Sequence, residues 1–423
     1  MKTFSHKQKS LSTHKRFVDP SATFWKKKSF SARRILSHLQ QLTDGYLTLI
    51  LPDNSKLEFS GQENREHNVV LNVKNWAFFQ RILLRGEVGF AESYVKGEWS
   101  TPDLVGLIEM LINNKEVLKS SQNPHFIFNW LLTVKNWLLR NTLRQSISNI
   151  STHYDLGNNF YQLWLDSSMT YSSALFQGKD ITLKEAQMRK YNRILDLLDP
   201  KKGERILDIG CGWGGFAEAA AKRGCAVEGI TLSDEQLSYA NKRAKKFPVK
   251  ASFEKKDYRE LIGHYNYIAS IGMLEHVGMD YWNQYFRKIY ELLNPGGRAM
   301  IQSIVYTAND YDDYIQSASF TKLYIFPGGF LPTPDCIKKS AIQAGLKVIN
   351  TFDFGLDYAK TLSLWRDNFL KAVSKIDKLG FDDNFKRLWH YYLCVSEASF
   401  LTHQTSVMQI ELIKPLCPED AYL

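Results

Sequence analysis

The stretch from Arg205 to Gly215, RILDIGCGWGG, constrains the fold of this chain more than any other feature. Its apolar residues, broken by Asp208, predict a short buried β-strand. Glycines follow at alternate positions, 210, 212 and 214, and an alanine-rich helical pattern begins at Phe216. A strand, a glycine turn and a helix N-terminus in this order predict unpaired backbone N–H groups and a positive dipole end beside a cleft.

The spacing of these glycines limits the ligands that suit the cleft. It differs from the dinucleotide motif G-x-G-x-x-G, which an acidic residue follows about 20 positions later. Asp208 before G-x-G-x-G suits a ligand with its own cation and amine, such as the methionine part of S-adenosylmethionine. An ordinary βα turn has the same appearance, so the motif by itself leaves both interpretations open.

Strands and helices alternate from residue 150 onwards. This pattern predicts an α/β fold with a Rossmann-like, mostly parallel sheet, helices on both faces and a terminal antiparallel strand. Ligands of such sheets bind at the carboxyl ends of the strands. The strands are predicted at 205–210, 226–231, 249–255, 265–272 and 298–305, with a terminal pair at 347–354 and 407–413.

The length of 423 residues allows more than one domain. Residues 1–35 are polar and basic and are expected to form a mobile arm. Residues 36–119 predict a small accessory α+β domain, and residues 151–423 form the α/β domain. Residues 120–150 predict an aromatic-rich helical linker, which either packs between domains or lies at a membrane interface.

Charge and cysteine content restrict the partners and the compartment. The formal net charge of +10 favours an anionic partner, such as a phospholipid surface or a nucleic acid. The five cysteines are scattered without a C-x-x-C pair, which argues for a reducing compartment and against a zinc site or a disulfide framework. With no long apolar run and no signal-peptide pattern, a cytoplasmic location is expected.

Two further segments fall on the predicted ligand edge of the sheet. Thr231 to Gln236 follows the second strand, where related folds usually place an acid for ribose hydroxyls; Ser233 and Gln236 also fit an ordinary helix capping box. Glu275 and His276 follow the fourth strand, where a carboxylate and an imidazole can transfer protons. His276 can equally be a packed core residue.

Taken together, the motifs resemble the family of cyclopropane-fatty-acyl-phospholipid synthases and mycolic acid cyclopropane synthases. The resemblance covers about residues 85–415. The matching motifs occur in the family's order: HYDLGN at 153–158, YS at 171–172, LDIGCGWGG at 207–215, TLS at 231–233, Gln236, MLEH at 273–276, YIFP at 324–327, GLDY at 355–358 and YYL at 391–393.

The resemblance implies an S-adenosylmethionine-dependent methyltransferase domain at 151–423. It implies methyl transfer to the cis double bond of unsaturated phospholipid acyl chains, giving a cyclopropane, at the inner face of a membrane. By analogy with longer family members, the accessory domain is expected to hold lipid or to mediate the contacts of a homodimer, and nucleic acid is not expected as a partner. The implied cofactor-binding residues are Tyr171, Ser172, Asp208, Gly210, Gly212, Gly214, Thr231, Gln236, Asp257 and Tyr258.

The resemblance also implies a base that removes a proton before ring closure. The family uses a bound bicarbonate, held by a Cys, a Glu, a His, a Tyr and backbone. Here Glu275 and Tyr358 are retained and Ile304 offers backbone, but Ser173 replaces the Cys and Gln302 the His. Serine and glutamine can hydrogen-bond an anion without supplying charge, so weaker bicarbonate binding is expected. A further family cysteine, often assigned to the active site, corresponds to Ser396, two positions after Cys394.

Several alternatives remain at this point. Without ring closure the product would be a methylene- or methyl-branched acyl chain, an outcome that the changes at Ser173 and Gln302 favour. The same fold also serves small-molecule and polyketide methyltransferases. A lipid-carrying protein without activity is a third alternative, against which the intact glycine loop argues. Nucleic-acid methylation is disfavoured because no N-P-P-[YF] loop follows the fourth strand.

Overall fold

The computed structural model describes residues 28–61, 63–119 and 156–417. The chain divides into two compact units, one within residues 1–93 and 97–123 and the other within residues 94–96 and 124–423. Most of the expected basic arm and the whole stretch 120–150, expected to be a helical linker, lie outside the described residues.

The first unit contains both helices and strands. Among its described residues, strands β1 (Asp44–Ile50), β2 (Lys56–Ser60), β3 (Glu63–Val73) and β4 (Trp99–Ser100) form a sheet in the order β2-β1-β3-β4. Strand β1 is antiparallel to β2 and parallel to β3. The helices are α1 (Phe30–Leu39), α2 (Ala77–Val95), α3 (Leu104–Asn113) and α4 (Lys115–Lys119).

Helix α1 corrects the boundary expected at residue 35. The side chain of Ser29 accepts a hydrogen bond from the Ala32 N–H and caps the helix, which therefore begins inside the segment assigned to the arm. Ala32 and Leu36 are buried on one face of α1. An apolar helical face that starts this early binds these residues to the folded unit.

The second unit confirms the predicted α/β class. Within residues 156–417, seven strands form a sheet in the order β10-β11-β9-β8-β5-β6-β7. Strands β5 to β9 pair in parallel, and β11 is antiparallel to both β9 and β10. These strands are β5 (Arg205–Ile209), β6 (Ala226–Thr231), β7 (Ala251–Lys255), β8 (Tyr265–Ile271), β9 (Leu293–Tyr306), β10 (Lys347–Asp353) and β11 (Thr405–Ile413).

Helices cover both faces of this sheet. They are α5 (Asn158–Tyr161), α6 (Leu183–Leu198), α7 (Gly215–Lys222), α8 (Asp234–Ala244), α9 (Trp282–Leu292), α10 (Tyr311–Gln316), α11 (Pro334–Gln343), α12 (Gly355–Lys371), α13 (Val373–Lys378) and α14 (Asp383–Leu401). A short π-helix spans Thr321–Ile325. Strand β9 begins at Leu293, earlier than the predicted start at residue 298, because Leu293 pairs with Tyr265 of β8 ahead of a register shift, and Gly296 and Gly297 hydrogen-bond to Lys414.

Strand β5 is buried on both faces, which explains its apolar sequence. Ile206 packs into the cluster that contains α6 and α7, whereas Leu207 and Ile209 pack into the opposite cluster with α9 and α11. Asp208 at its end is therefore held in a rigid position. Across the described residues, none of the helices is long and apolar enough to cross a membrane.

Candidate active site

A cavity opens at the carboxyl ends of β5, β6 and β8. This is the edge of the sheet at which the sequence predicted a ligand. Every predicted cofactor residue except Gly214 lines the cavity, and the lining residues from that set are Tyr171, Ser172, Asp208, Gly210, Gly212, Thr231, Gln236, Asp257 and Tyr258. Gly214 instead precedes the first residue of α7, with φ of 79°.

The glycine turn brings bare backbone to the cavity wall. Gly210 has φ of 82°, and a Cβ atom there would lie 3.1 Å from Cγ of Met273. The N–H groups of Gly210 and Cys211 both donate to the carbonyl oxygen of Ile230, at 3.0 and 2.9 Å, and this ties the turn to β6. A side chain at residue 210 would therefore be strained and crowded.

Asp208 is the most informative residue of the site. Its side chain is buried, Oδ2 has no hydrogen-bond partner among the described residues, and burial raises the pKa of its carboxyl group to about 7. A buried acceptor without a partner is costly unless a ligand supplies a donor or a cation. The carboxylate therefore fits the amine-bearing end of S-adenosylmethionine.

The residues after β6 also face the cavity. Thr231 Oγ1 donates to Oε1 of Gln236 at 2.8 Å, which leaves the amide N–H groups of Gln236 available to hydroxyl groups of a ligand. Ser233 caps α8 by accepting from the Gln236 N–H. The predicted N-cap at Ser233 is confirmed, but the capping box is not complete, because the Gln236 side chain bonds to Thr231 rather than to the backbone of the cap residue.

Asp257 and Tyr258 lie at the same edge but differ in their partners. Both carboxylate oxygens of Asp257 accept from the Arg259 guanidinium, at 2.8 and 2.7 Å. The Tyr258 side chain is buried and its hydroxyl has no hydrogen-bond partner among the described residues. Tyr258 is consequently the better placed of the two to bond a ligand.

Aromatic side chains continue from the cavity in what we call the aromatic wall, formed by Tyr171, Trp365, Tyr392 and Phe326. The hydroxyls of Tyr171 and Tyr392 are 2.8 Å apart, and the ring centroids of Tyr171 and Trp365 are 5.3 Å apart. Phe326 lies edge-on to Tyr392 and to His276, at 5.7 and 5.2 Å. Burial lowers the pKa of His276 to about 4, so this imidazole is a neutral, packed ring at neutral pH.

Glu275 is the second buried carboxylate of the site. Its Oε1 accepts from the Ile304 N–H at 2.5 Å, whereas Oε2 has no hydrogen-bond partner among the described residues. Burial raises the pKa of Glu275 to about 7, and the hydrogen bond from Ile304 opposes that shift. A carboxyl group with a pKa near neutrality can accept a proton during a reaction.

The groups that the resemblance assigned to bicarbonate are largely occupied within the chain. The Ser173 hydroxyl donates to the Ala174 carbonyl at 2.9 Å, and the Ile304 N–H donates to Glu275. Gln302 Oε1 accepts from Gln409 Nε2 at 3.0 Å. These positions carry no cation, so the residues present do not fit a bound bicarbonate.

Tyr358 and Ser396 occupy different surroundings. Tyr358 is buried in the first turns of α12, with its ring 4.6 Å from that of Phe400 and 6.0 Å from that of Trp365, a member of the aromatic wall. Ser396 is half-buried in α14, its carbonyl accepts from the Ser399 hydroxyl, and it does not line the cavity. Tyr358 does not line the cavity either, but its ring lies beside the aromatic wall through Trp365, and none of the described contacts joins Ser396 to that wall.

Two groups of residues were missed by the sequence reasoning. Asn158 accepts from the Trp213 indole N–H at 2.6 Å and donates to Glu235 at 2.7 Å, so the last residue of the HYDLGN motif supports the glycine turn. Gln187 and Lys190 of α6 both bond to Ser172. The sequence feature that could have revealed the second group is Lys190, a charged residue at a position where an amphipathic helix is otherwise apolar.

The model for mycolic acid cyclopropane synthetases matches residues 141–410. This chain belongs to that family. Tuberculostearic acid methyltransferase UfaA1 of Mycobacterium tuberculosis is 34% identical over 80% of this chain and 81% of its own length. Cyclopropane-fatty-acyl-phospholipid synthase of Escherichia coli is also 34% identical, over 80% of this chain and 86% of its length.

Solved structures of the family agree with the fold. Cyclopropane synthase MmaA2 of Mycobacterium tuberculosis has a TM-score of 0.60 and 28% identity, covering 63% of this chain and 98% of that one. Mycolic acid cyclopropane synthase CmaA1, complexed with SAH and CTAB, has a TM-score of 0.60 and 27% identity over the same shares. This family member is therefore an S-adenosylmethionine-dependent methyltransferase that modifies lipid acyl chains.

Proposed function

We propose that the protein transfers a methyl carbon from S-adenosylmethionine to the cis double bond of an unsaturated phospholipid acyl chain. The observation that carries the proposal is a buried carboxylate oxygen, Glu275 Oε2, that lacks a hydrogen-bond partner among the described residues. It belongs to the residue next to His276, which lines the cavity and whose ring packs on Phe326 of the aromatic wall. Such surroundings suit an apolar chain rather than a polar small molecule.

Different residues of the site have different roles in the proposed reaction. When bound, S-adenosylmethionine supplies an electrophilic methyl group on a sulfonium. Asp208, Gln236 and the glycine turn hold the donor, while the aromatic wall excludes water from a weakly nucleophilic alkene. Ring faces of Tyr171 and Trp365 stabilise positive charge that develops on the acyl chain. Glu275 Oε2 then accepts the proton that the acyl chain loses.

Two products are compatible with these roles. A cyclopropane forms when the transferred carbon loses a proton and bonds to the cationic carbon of the chain. Without ring closure, a hydride shift followed by loss of a proton from the transferred carbon leaves a methylene branch, and loss of a proton from a neighbouring chain carbon leaves a methyl-branched alkene. The substitutions at Ser173 and Gln302 and their internal hydrogen bonds support the branched product, while family membership supports the cyclopropane. Both outcomes place the new carbon on the former double bond.

The test uses purified full-length protein, S-adenosylmethionine and vesicles of monounsaturated phospholipid. We expect acyl chains heavier by one carbon, and gas chromatography–mass spectrometry distinguishes a ring from a branch. Vesicles of saturated phospholipid are the matched control and should give no product. Methylation of soluble compounds in a lipid-free screen, with none of the lipids modified, would instead establish a small-molecule methyltransferase.

We also propose that the reaction takes place at the inner face of a membrane, without nucleic acid as a partner. The net charge of +10 supports adsorption to an anionic lipid surface. Flotation with anionic and with neutral vesicles tests this, because binding by electrostatic attraction is lost with neutral lipid and at high salt. A homodimer is the assembly we propose, which light scattering tests.

A further inference from the structure

Lys190 is a fully buried lysine directly behind the cavity wall. Its Nζ donates to Ser172 Oγ at 2.5 Å and to Gln187 Oε1 at 2.8 Å, and Ser172 itself lines the cavity. No carboxylate within residues 28–61, 63–119 or 156–417 forms an ion pair with it. A buried ammonium group without an anionic partner is strongly unfavourable in a protein interior.

Helix α6 holds Ser172 from two sides. Gln187 Nε2 donates to the Ser172 carbonyl at 2.8 Å, and Lys190 donates to the Ser172 hydroxyl. Because Lys190 occupies the acceptor side of that hydroxyl, the serine proton remains free to be donated elsewhere. Ser172 also lines the cavity, where a ligand can accept that proton.

Two buried ionisable groups of the site complement an amino acid. Asp208 places at one part of the cavity a carboxyl group whose Oδ2 has no hydrogen-bond partner among the described residues, and Lys190 places a basic amine behind another. S-adenosylmethionine carries a single anionic group, the carboxylate of its methionine part, next to an ammonium group. Burial lowers the pKa of Lys190 well below its usual value, and the negative charge of Asp166 opposes this; a ligand anion would oppose it in the same way.

We propose that Lys190 is a positioning residue for the cofactor: it fixes the Ser172 hydroxyl as a donor and presents positive charge to the carboxylate of S-adenosylmethionine. Lys190 acts through Ser172 and does not touch the reacting atoms. The pair determines which end of the amino-acid group faces α6, and thereby the direction of the sulfonium. This inference concerns only the cofactor and requires no lipid.

The experiment compares two ligands by isothermal titration calorimetry on the full-length protein. S-adenosylhomocysteine carries the carboxylate, and decarboxylated S-adenosylhomocysteine lacks only that group. For Lys190→Met we expect the Kd of the first to rise about 10- to 100-fold, as for the loss of a hydrogen bond to a charged group, and the Kd of the second to change less than about two-fold. Lys222→Met, an exposed lysine on α7, is the matched control.

Further variants test whether Lys190 acts through Ser172 and replace Lys190→Met if that variant does not fold. Ser172→Ala should give the same ligand-selective loss, and the double variant should be no weaker than either single variant, because the two residues act as one unit. If Lys190→Met does not fold by circular dichroism, Lys190→Gln retains a donor but removes the charge, and the same selectivity is expected. An equal loss for both ligands, or no loss for either, would overturn the proposal. Failure of the wild type to bind S-adenosylhomocysteine would overturn the cofactor assignment itself.

Discussion

The cofactor half and the proton-accepting half of the active site differ in how far their polar groups are hydrogen-bonded within the chain. In the cofactor half, Asp208 Oδ2 and the Tyr258 hydroxyl have no hydrogen-bond partner within the described part of the chain, and both residues line the cavity. In the proton-accepting half, Ser173, Gln302 and the Ile304 N–H already bond within the chain, and only Glu275 Oε2 lacks a hydrogen-bond partner among the described residues. A site that awaits a ligand leaves hydrogen-bonding capacity open, whereas internally satisfied groups offer little to an anion.

The largest loss of turnover is expected on substitution of Glu275, and this substitution is the strongest test of the difference between the two halves. Glu275→Gln keeps the shape and the acceptor for Ile304 but removes the base, so turnover on unsaturated phospholipid should fall by about 10²- to 10⁴-fold, the usual contribution of a general base. Binding of S-adenosylhomocysteine should stay near that of the wild type. Glu254→Gln, on an exposed part of β7, is the matched control. Unchanged turnover of Glu275→Gln would remove Glu275 from the mechanism.

Substitution of Asp208 should show the opposite pattern to that of Glu275, because its direct effect is on cofactor binding. Asp208→Asn is expected to weaken S-adenosylhomocysteine binding about 10- to 100-fold, because a charge-assisted hydrogen bond to the ligand is lost. Calorimetry measures this directly, with exposed Asp196→Asn as the control. Wild-type affinity in Asp208→Asn would mean that the unpartnered carboxylate serves another purpose.

The same two carboxyl groups predict how stability depends on pH. Burial raises both pKa values to about 7, from 3.8 for Asp208 and 4.5 for Glu275. Between those limits the folded state holds more protons than the unfolded state, so their contribution to the free energy of unfolding falls as pH rises through that window. Asp208→Asn should therefore gain stability relative to the wild type, by about 2 kcal/mol between pH 5 and pH 7.5. A constant difference across that range in denaturant melts would contradict the prediction.

Bicarbonate should have a smaller effect. Because Ser173 and Gln302 are uncharged and bond within the chain, and because Glu275 would repel an anion, depleting bicarbonate from the assay should change turnover less than about two-fold. The measurement compares degassed buffer with buffer to which bicarbonate has been returned. A strong stimulation by bicarbonate would show that Ser173 and Gln302 rearrange to bind it.

The smallest effect is expected at Ser396. This residue does not line the cavity, so Ser396→Ala should leave turnover and stability within about two-fold and 0.5 kcal/mol of the wild type. Steady-state assays and denaturant melts measure the two quantities. A loss of turnover comparable to that of Glu275→Gln would place α14 in the mechanism.

The fold was more predictable than the pairing of polar groups. The strands around Asp208 and Glu275 were found from apolar runs and glycine turns, because those patterns arise from local geometry and burial. The start of β9 was misplaced because its glycine-rich first residues pair with neighbouring strands, which a local pattern does not encode. The π-helix at Thr321–Ile325 carried no recognisable signal.

The sequence by itself determined the class of fold, the cofactor edge and the identity of its glycine turn, since each depends on short-range spacing. Only the tertiary structure decided that Gln187 and Lys190 hold Ser172, that Gln302 bonds to Gln409, and that Glu275 has one satisfied and one open oxygen. These facts depend on residues that are far apart in the chain and share one small volume. Hydrogen-bond satisfaction in a buried site is a property of that volume, and the chain must fold before it exists.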